Sequence, residues 1–302
     1  MAYARLVMHP ATATRDRGLR TLARGRAPAR PPRGLRDRIR RRALAGPARH
    51  PLDRVRPSPA TARIPGAAVI YFHGGAFVHG IARAHWHLVG DLADATGAPV
   101  YVPHYGRAPR HTGEEVFDLF EALVEHVTLR DGRDDQAAQD ERGGVRIHLV
   151  GDSAGGALAL LAAQHLRRQA RIVGLTLISP ALDLSQSNPA IDAVEPADPW
   201  LSRAGTRPLL EAWAGDRDLQ DPRVSPIFGD LTGLPPIEVF AGTRDICWPD
   251  VEVLEHRCRE AGTEVTVHAA EGSPHVHVLL PTPEGRRDRA VLLDGVATSL
   301  RR

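Results

Sequence analysis

A chain of 302 residues with a net charge of +3 and 42% hydrophobic residues is long enough for one large α/β domain with a substantial core. No stretch approaches the ~20 consecutive apolar residues that span a membrane, and residues 1–10 lack the apolar core and cleavage pattern of a secretory signal. Cys247 and Cys258 alone build no disulfide framework, so the expectation is a cytoplasmic protein, with peripheral membrane association left open.

The small net charge hides an asymmetry. Residues 1–56 carry 16 arginines against 3 acids, a surplus of 13, while the remainder carries 23 against 33, and lysine is absent throughout. With Pro28, Pro31 and Pro32 interrupting it, this segment reads as a mobile arm with short helical pieces. Leu35, Ile39 and Ala43 predict one weak helical stripe within it. Charge complementarity favours an arm folded back on the acidic body. Tyr3 is its one aromatic, which argues against a nucleic-acid partner.

Strands are predicted at 68–72, 98–102, 145–150, 172–178, 236–241 and 264–269. Helical patterns fall at about 83–96, 114–130, 154–169, 249–261 and 284–301. Strands alternating with helices of this length imply a parallel sheet covered on both faces. Residues 131–144 are charged and read as a surface loop. The interval 185–234 breaks the alternation with Pro189, Pro196, Pro199 and Pro208 and holds one short helical run at 207–214.

Two motifs stand at strand ends. Gly151-Asp152-Ser153-Ala154-Gly155-Gly156 lies between the strand at 145–150 and the helix that follows. A Gly-x-Ser-x-Gly there forms a tight elbow that presents the serine hydroxyl at a helix N-terminus. His73-Gly74-Gly75-Ala76-Phe77 follows the strand at 68–72. Such a loop can turn its amides toward the oxygen that becomes negative during acyl transfer. Together the motifs point to a serine nucleophile, Ser153, and to an oxyanion hole made by the amides of Gly74, Gly75 and Ala154.

These motifs resemble those of the bacterial hormone-sensitive-lipase-like (family IV) branch of the α/β-hydrolases, which are carboxylesterases. The likeness runs through Ser179-Pro180-Ala181-Leu182-Asp183-Leu184 and Ala241-Gly242-Thr243-Arg244-Asp245 to Glu271-Gly272-Ser273-Pro274-His275-Val276. It implies an α/β-hydrolase fold, residues 57–302, with a helical cap assembled from the arm (1–56) and the insertion at about 185–234. Trp200, Leu201, Leu209 and Trp213 then become candidate acyl-pocket walls. One departure concerns Tyr105: where the family commonly has Tyr-Arg-Leu-Ala-Pro-Glu, this chain has Tyr105-Gly106-Arg107-Ala108-Pro109-Arg110. Tyr105 remains a candidate pocket residue beside an altered wall.

A serine needs a base, and the base needs a carboxylate. Asp245 and His275 each follow a predicted strand, in the order this fold requires. Asp183 is the rival acid, and Asp250 reads as a first-turn helix acid. Periodicity cannot separate His275 from His277, which share a face in extended chain; the resemblance assigns His275. His85 and His87 lack metal-ligand spacing, so neither a metal nor a cofactor is expected. Asp152 reads equally as an anchor of the elbow or as a solvated loop acid. The expected partner is a small acyl ester, without an integral-membrane contact, and the sequence leaves room for a homodimer. The competing functions are a non-catalytic ligand-binding receptor on this fold and an amidase, peptidase or acyltransferase using the same triad.

Overall fold

The computed structural model describes residues 12–44, 49–134 and 144–302. Its sheet contains β1 (Ile39–Ala43), β2 (Pro51–Val55), β3 (Ala67–Phe72), β4 (Val100–Pro103), β5 (Arg146–Asp152), β6 (Ile172–Ile178), β7 (Ile237–Gly242) and β8 (Val265–Ala270). The helices are α1 (Arg15–Arg24), α2 (Arg33–Arg36), α3 (Arg83–Thr96), α4 (Val116–Asp134), α5 (Ala154–Leu166), α6 (Ile191–Val194), α7 (Arg203–Ala214), α8 (Trp248–Glu260) and α9 (Pro283–Arg301). The strand order is β1-β2-β4-β3-β5-β6-β7-β8. Pairing is parallel from β4 to β8 and antiparallel where β1 meets β2 and β2 meets β4.

The central strands are buried on both faces, and their side chains alternate between two cores. Ala68, Ile70 and Phe72 of β3 join Leu149, Phe120 and Leu158 beneath α4 and α5. Val69 and Tyr71 face the other way, onto Leu88, Val89 and Leu92 of α3 and Leu292 and Val296 of α9. This period-2 alternation of apolar residues is what makes 67–72 a central strand. Because β3 lies between β4 and β5, the chain reverses its winding there. Crevices form at such switch points, outside the carboxyl ends of the strands.

The six strands expected from the sequence are present, and β1 and β2 are additional. Ile39, at an i+4 spacing from both Leu35 and Ala43, imitates a helix. In the structure the stripe does not exist: Leu35 is buried in α2, Ile39 is half-buried in β1, and Ala43 is exposed. An edge strand can be polar on both faces, so three exposed arginines in β1 hide its strand character. Most of the loop expected at 131–144 lies outside the described residues, as do residues 1–11, which include Tyr3.

The arm splits in two. Residues 39–43 and 51–55 belong to the sheet, while α1 packs against α7. Gly18 and Gly205 make that crossing close: a Cβ on Gly18 would lie 2.1 Å from the Gly205 carbonyl oxygen, and one on Gly205 1.8 Å from the Thr12 carbonyl oxygen. The Thr12 hydroxyl donates to the Trp200 carbonyl at 2.7 Å. Beyond α1, the Gly80 amide donates to the Arg26 carbonyl and the Ala29 amide to the Ile81 carbonyl. Of the arm's arginines, Arg15 reaches Glu211 at 3.9 Å and Arg38 reaches Asp94 at 2.5 Å.

Candidate active site

Ser153 caps α5 with φ 53° and ψ −121°, a conformation strained for any residue but glycine. The strain follows from the sharp turn of β5 into α5. Its neighbours must be glycine: a Cβ on Gly151 would lie 2.1 Å from the Gly155 carbonyl oxygen, and one on Gly155 2.0 Å from that of Phe72. The Ser153 amide donates to the Ile178 carbonyl at 2.8 Å, which ties the elbow to the end of β6.

The loop after β3 passes directly beside this serine; a Cβ on Gly74 would lie 3.0 Å from the Ser153 Cβ. Asp152 holds the loop there. Buried among polar partners, its Oδ1 accepts from the Tyr71 hydroxyl at 2.5 Å and from the Gly74 amide at 3.0 Å. Its Oδ2 lies 3.2 Å from His85 Nε2. Burial would raise the Asp152 pKa, but His85, Tyr71 and the Gly74 amide outweigh it and hold the carboxyl below its usual range. Asp152 is thus no solvated loop acid, and what it anchors is the loop after β3 rather than the elbow.

This bond corrects one assignment: the Gly74 amide is already committed and cannot serve an oxyanion. The amides of Gly75, Ala76 and Ala154 make no hydrogen bond within the described residues. Ala76 adopts φ 51°, so a non-glycine residue carries the left-handed turn that brings its amide forward. Nothing in the sequence signals that conformation at an alanine.

Ser153 Oγ lies 2.9 Å from His275 Nε2, and His275 Nδ1 lies 2.8 Å from Asp245 Oδ2. Asp245 follows β7 and His275 follows β8. The other Asp245 oxygen accepts from the Cys247 amide at 3.0 Å, and the Ser179 hydroxyl also bonds to Asp245. Burial would raise the Asp245 pKa, but the charge and hydrogen bond of His275 lower it below the carboxylate norm. For His275 burial acts downward, and Asp245, with Asp198 and Asp152 behind it, more than reverses this; the net shift is upward.

Rival residues lie elsewhere. The Asp183 carboxylate accepts from the amides and hydroxyls of Ser185 and Ser187. Asp250 is bonded by the Asn188 amide at 3.0 Å and pushed by burial to about 7. His277 turns toward α9, with Nε2 2.8 Å from Asp288. Asp245, Cys247 and His275 form the one cluster of metal-ligating atoms among the described residues. Within it the Asp245 oxygen and His275 nitrogen already bond each other, and burial holds the Cys247 thiol protonated.

Asp198 was not singled out by sequence. Buried beside Asp245, its Oδ1 accepts from the amides of Trp200 (2.7 Å) and Leu201 (2.9 Å), and its Oδ2 from that of Ile246 (2.9 Å). It therefore joins the insertion to the loop carrying Asp245. Burial and the Asp245 charge push its pKa to about 6. The Asp198-Pro199 pair is a turn signal, and nothing more in the sequence marks it.

A sequence profile of the family described as alpha/beta hydrolase fold matches residues 69–279. An acetyl-hydrolase of Streptomyces hygroscopicus is 35% identical over 234 residues, 75% of this chain and 74% of the relative. The chain belongs to the hormone-sensitive-lipase-like α/β-hydrolases. A triacylglycerol lipase of Mycobacterium tuberculosis is 34% identical over 220 residues, covering 73% of this chain but only 44% of the lipase. The crystal structure of an esterase from the bacterial hormone-sensitive lipase family superposes with a TM-score of 0.73 at 24% identity, covering 95% of this chain and 90% of that one. The eight-stranded α/β-hydrolase fold and a carboxylesterase- or lipase-like hydrolase follow from these matches.

In this hydrolase Ser153 and His275 open on a pocket of about 380 Å³ with predominantly apolar walls. Trp200, Leu201 and Leu209 line it, joined by Leu279 and Leu280. Trp200 also meets the His275 ring edge-on, with centroids 5.8 Å apart. Residues Thr12, Thr21, Ala27 and Ala29 close the side formed by the arm. Two expected pocket residues lie behind the wall. Trp213 is buried and stacks on Phe77 at 4.5 Å, because its α7 face turns inward. Tyr105 stacks on His73 at 4.7 Å, and its hydroxyl donates to the His73 carbonyl at 2.8 Å; it braces the loop from the far side.

Proposed function

We propose that this hydrolase cleaves short- to medium-chain acyl esters through an acyl-enzyme on Ser153. His275 takes the Ser153 proton as the hydroxyl attacks the ester carbonyl, and later returns it to the departing alcohol. Asp245 fixes the tautomer that leaves Nε2 free to act as base, and it stabilises the imidazolium. The amides of Gly75, Ala76 and Ala154 receive the negative oxygen of the tetrahedral intermediate. Water activated by His275 then attacks the acyl carbonyl and releases the acid, which regenerates Ser153.

The reading rests on one observation: an unbroken hydrogen-bond chain from Ser153 through His275 to Asp245, facing an apolar pocket. The intact base disfavours a receptor that has lost hydrolysis. We read α1 and the 185–234 insertion as a cap that limits pocket depth to acyl chains of roughly eight to ten carbons. Purified protein assayed on p-nitrophenyl esters of graded length, with matched anilides, tests this. Turnover of the shorter esters without anilide cleavage is expected. Preferential anilide cleavage would make it an amidase, and a preference for long-chain triglyceride emulsions would remove the depth limit.

A further inference from the structure

A second cleft, about 600 Å³, lies behind the oxyanion loop, between residues 22–28 of the arm and the loop from His104 to His111. Arg24, Arg26, Arg41, Arg107 and Arg110 line it, with four histidines and no carboxylate. Arg41 and His104 are balanced from beneath by Asp53, at 2.6 and 2.7 Å, and His111 by Glu115 at 2.7 Å. The other four guanidinium groups have no carboxylate within ion-pairing distance among the described residues. Arg107 is nonetheless fixed, donating to the Arg26 carbonyl at 2.8 Å and toward the Val78 carbonyl at 3.4 Å.

Four uncompensated arginines converging on one concavity repel one another, and an anion relieves that repulsion. The local field is already felt by a neighbour: burial, then Arg26 and Arg107, push His79 down to about 4. A recess of about 240 Å³ lined by Arg17, Arg20, Arg24, Arg26 and His79 continues the same positive surface. Arg110 also stands where the motif of the resembled family commonly has glutamate, and here it lines the cleft as a cation. Guanidinium forks match phosphate and carboxylate oxygens in pairs. Tyr105 is the one Phe, Tyr or Trp residue lining the cleft, and it is buried against His73, so none of these larger rings is open for nucleic-acid bases to stack on.

We propose that this cleft is a binding site for a small polyanion carrying two or more phosphate or carboxylate groups. Its floor is Tyr105 and His73, the residues that brace the oxyanion loop, and it shares Arg26, Ala27 and Gly80 with the wall of the catalytic pocket. An occupant would therefore touch both the loop and the pocket rim.

Titration calorimetry with inorganic pyrophosphate and with citrate, at ionic strength held constant with KCl, tests the site. One anion is expected to bind with unit stoichiometry and to weaken as KCl rises. Arg24→Gln and Arg110→Gln should each weaken it about tenfold, roughly the effect of one charge-assisted hydrogen bond. Arg110→Glu should abolish binding, and Arg301→Gln, on the C-terminal helix, should leave it unchanged. Circular dichroism and melting temperature confirm that each variant is folded. Tighter binding of pyrophosphate assigns a phosphate ligand, and tighter binding of citrate a polycarboxylate. Absence of saturable heat with either anion, an equal loss in Arg301→Gln, or capture of phosphatidylserine vesicles or an oligonucleotide in preference to both anions would overturn the proposal.

Discussion

At the scale of single residues the proposed chemistry turns on His275, which must be neutral to accept the Ser153 proton. Asp245 holds its pKa above the usual value, about 6.5. The protonated, inactive form therefore persists to higher pH, and the acid limb of kcat/KM should lie above pH 6.5, with activity falling as pH drops through it. Asp245→Asn removes the charge, so that limb should move to lower pH while kcat drops by about 10⁴-fold through the wrong tautomer. A wild-type limb well below 6.5 would contradict the pairing seen here. Ser153→Ala and His275→Ala should each remove activity by several orders of magnitude, on the order of 10⁶ where a triad acts as a unit. His277→Ala should act mainly on stability, because His277 contacts Asp288 and not Ser153. That Ser153, Asp245 and His275 come together was legible in sequence because each sits at a strand end in an order that the fold imposes. The free amides beside Ser153 were only partly legible: glycine advertises a permissive backbone, but which amide remains free depends on where Asp152 points. Asp198 was invisible for the same reason, since a buried carboxylate is defined by the amides it meets.

At the scale of elements, one hydrogen bond, from the Ile246 amide to Asp198, holds the insertion to the loop carrying Asp245, while the other Asp198 oxygen takes the Trp200 and Leu201 amides of the insertion itself. Asp198→Ala would leave three amides unmatched, each costing about 1–3 kcal/mol if it stays buried. Local relaxation around Trp200 should relieve part of this, and KM should rise more than kcat falls. Equal losses in kcat and kcat/KM, with unchanged KM, would mean that Asp198 acts on the proposed triad and not on the pocket wall. Side chains on α7 divide into two groups. Leu209 lines the pocket, so Leu209→Ala should lengthen the preferred acyl chain, read from the p-nitrophenyl ester series. Trp213 packs on Phe77 instead, so Trp213→Ala should cost about 3–5 kcal/mol in denaturant unfolding and leave the chain-length optimum in place. Sequence grouped these residues because both are large, apolar and four apart on one helix; which of them reaches the pocket is set by the rotation of α7 against Phe77. The parallel strands were readable from continuous apolar runs. The β1–β2 pair was not, because an arginine-rich edge strand owes its place to backbone pairing and not to burial.

For the whole molecule, the arm decides how much of the pocket exists. Its outer part, residues 12–30, contributes Thr12, Thr21, Arg26, Ala27 and Ala29 to the pocket wall. It is stitched on by the Gly18–Gly205 crossing and by the Trp86 indole, which donates to the Ala29 carbonyl at 2.9 Å. Its inner strands, residues 39–43 and 51–55, belong to the sheet. Two truncations should therefore behave differently. Removal of residues 1–30 leaves β1 paired and the triad strands untouched, but opens one wall of the pocket and bares the apolar residues beneath α1. Ester hydrolysis should persist with a KM raised about tenfold or more, a loss of chain-length selectivity and a tendency to aggregate in light scattering. Removal of residues 1–45 also strips β1 and leaves the edge of β2 unpaired, a template for association with other chains; it should aggregate more and melt at lower temperature. Between these limits, Gly18→Leu keeps the whole chain but drives a side chain into the Gly205 backbone. Its kinetic defect should match the shorter truncation, without the loss of sheet stability. If Gly18→Leu and the 1–30 truncation both retain wild-type KM and chain-length selectivity, α1 is not a wall of the working pocket, and substrate depth is set by α7 alone.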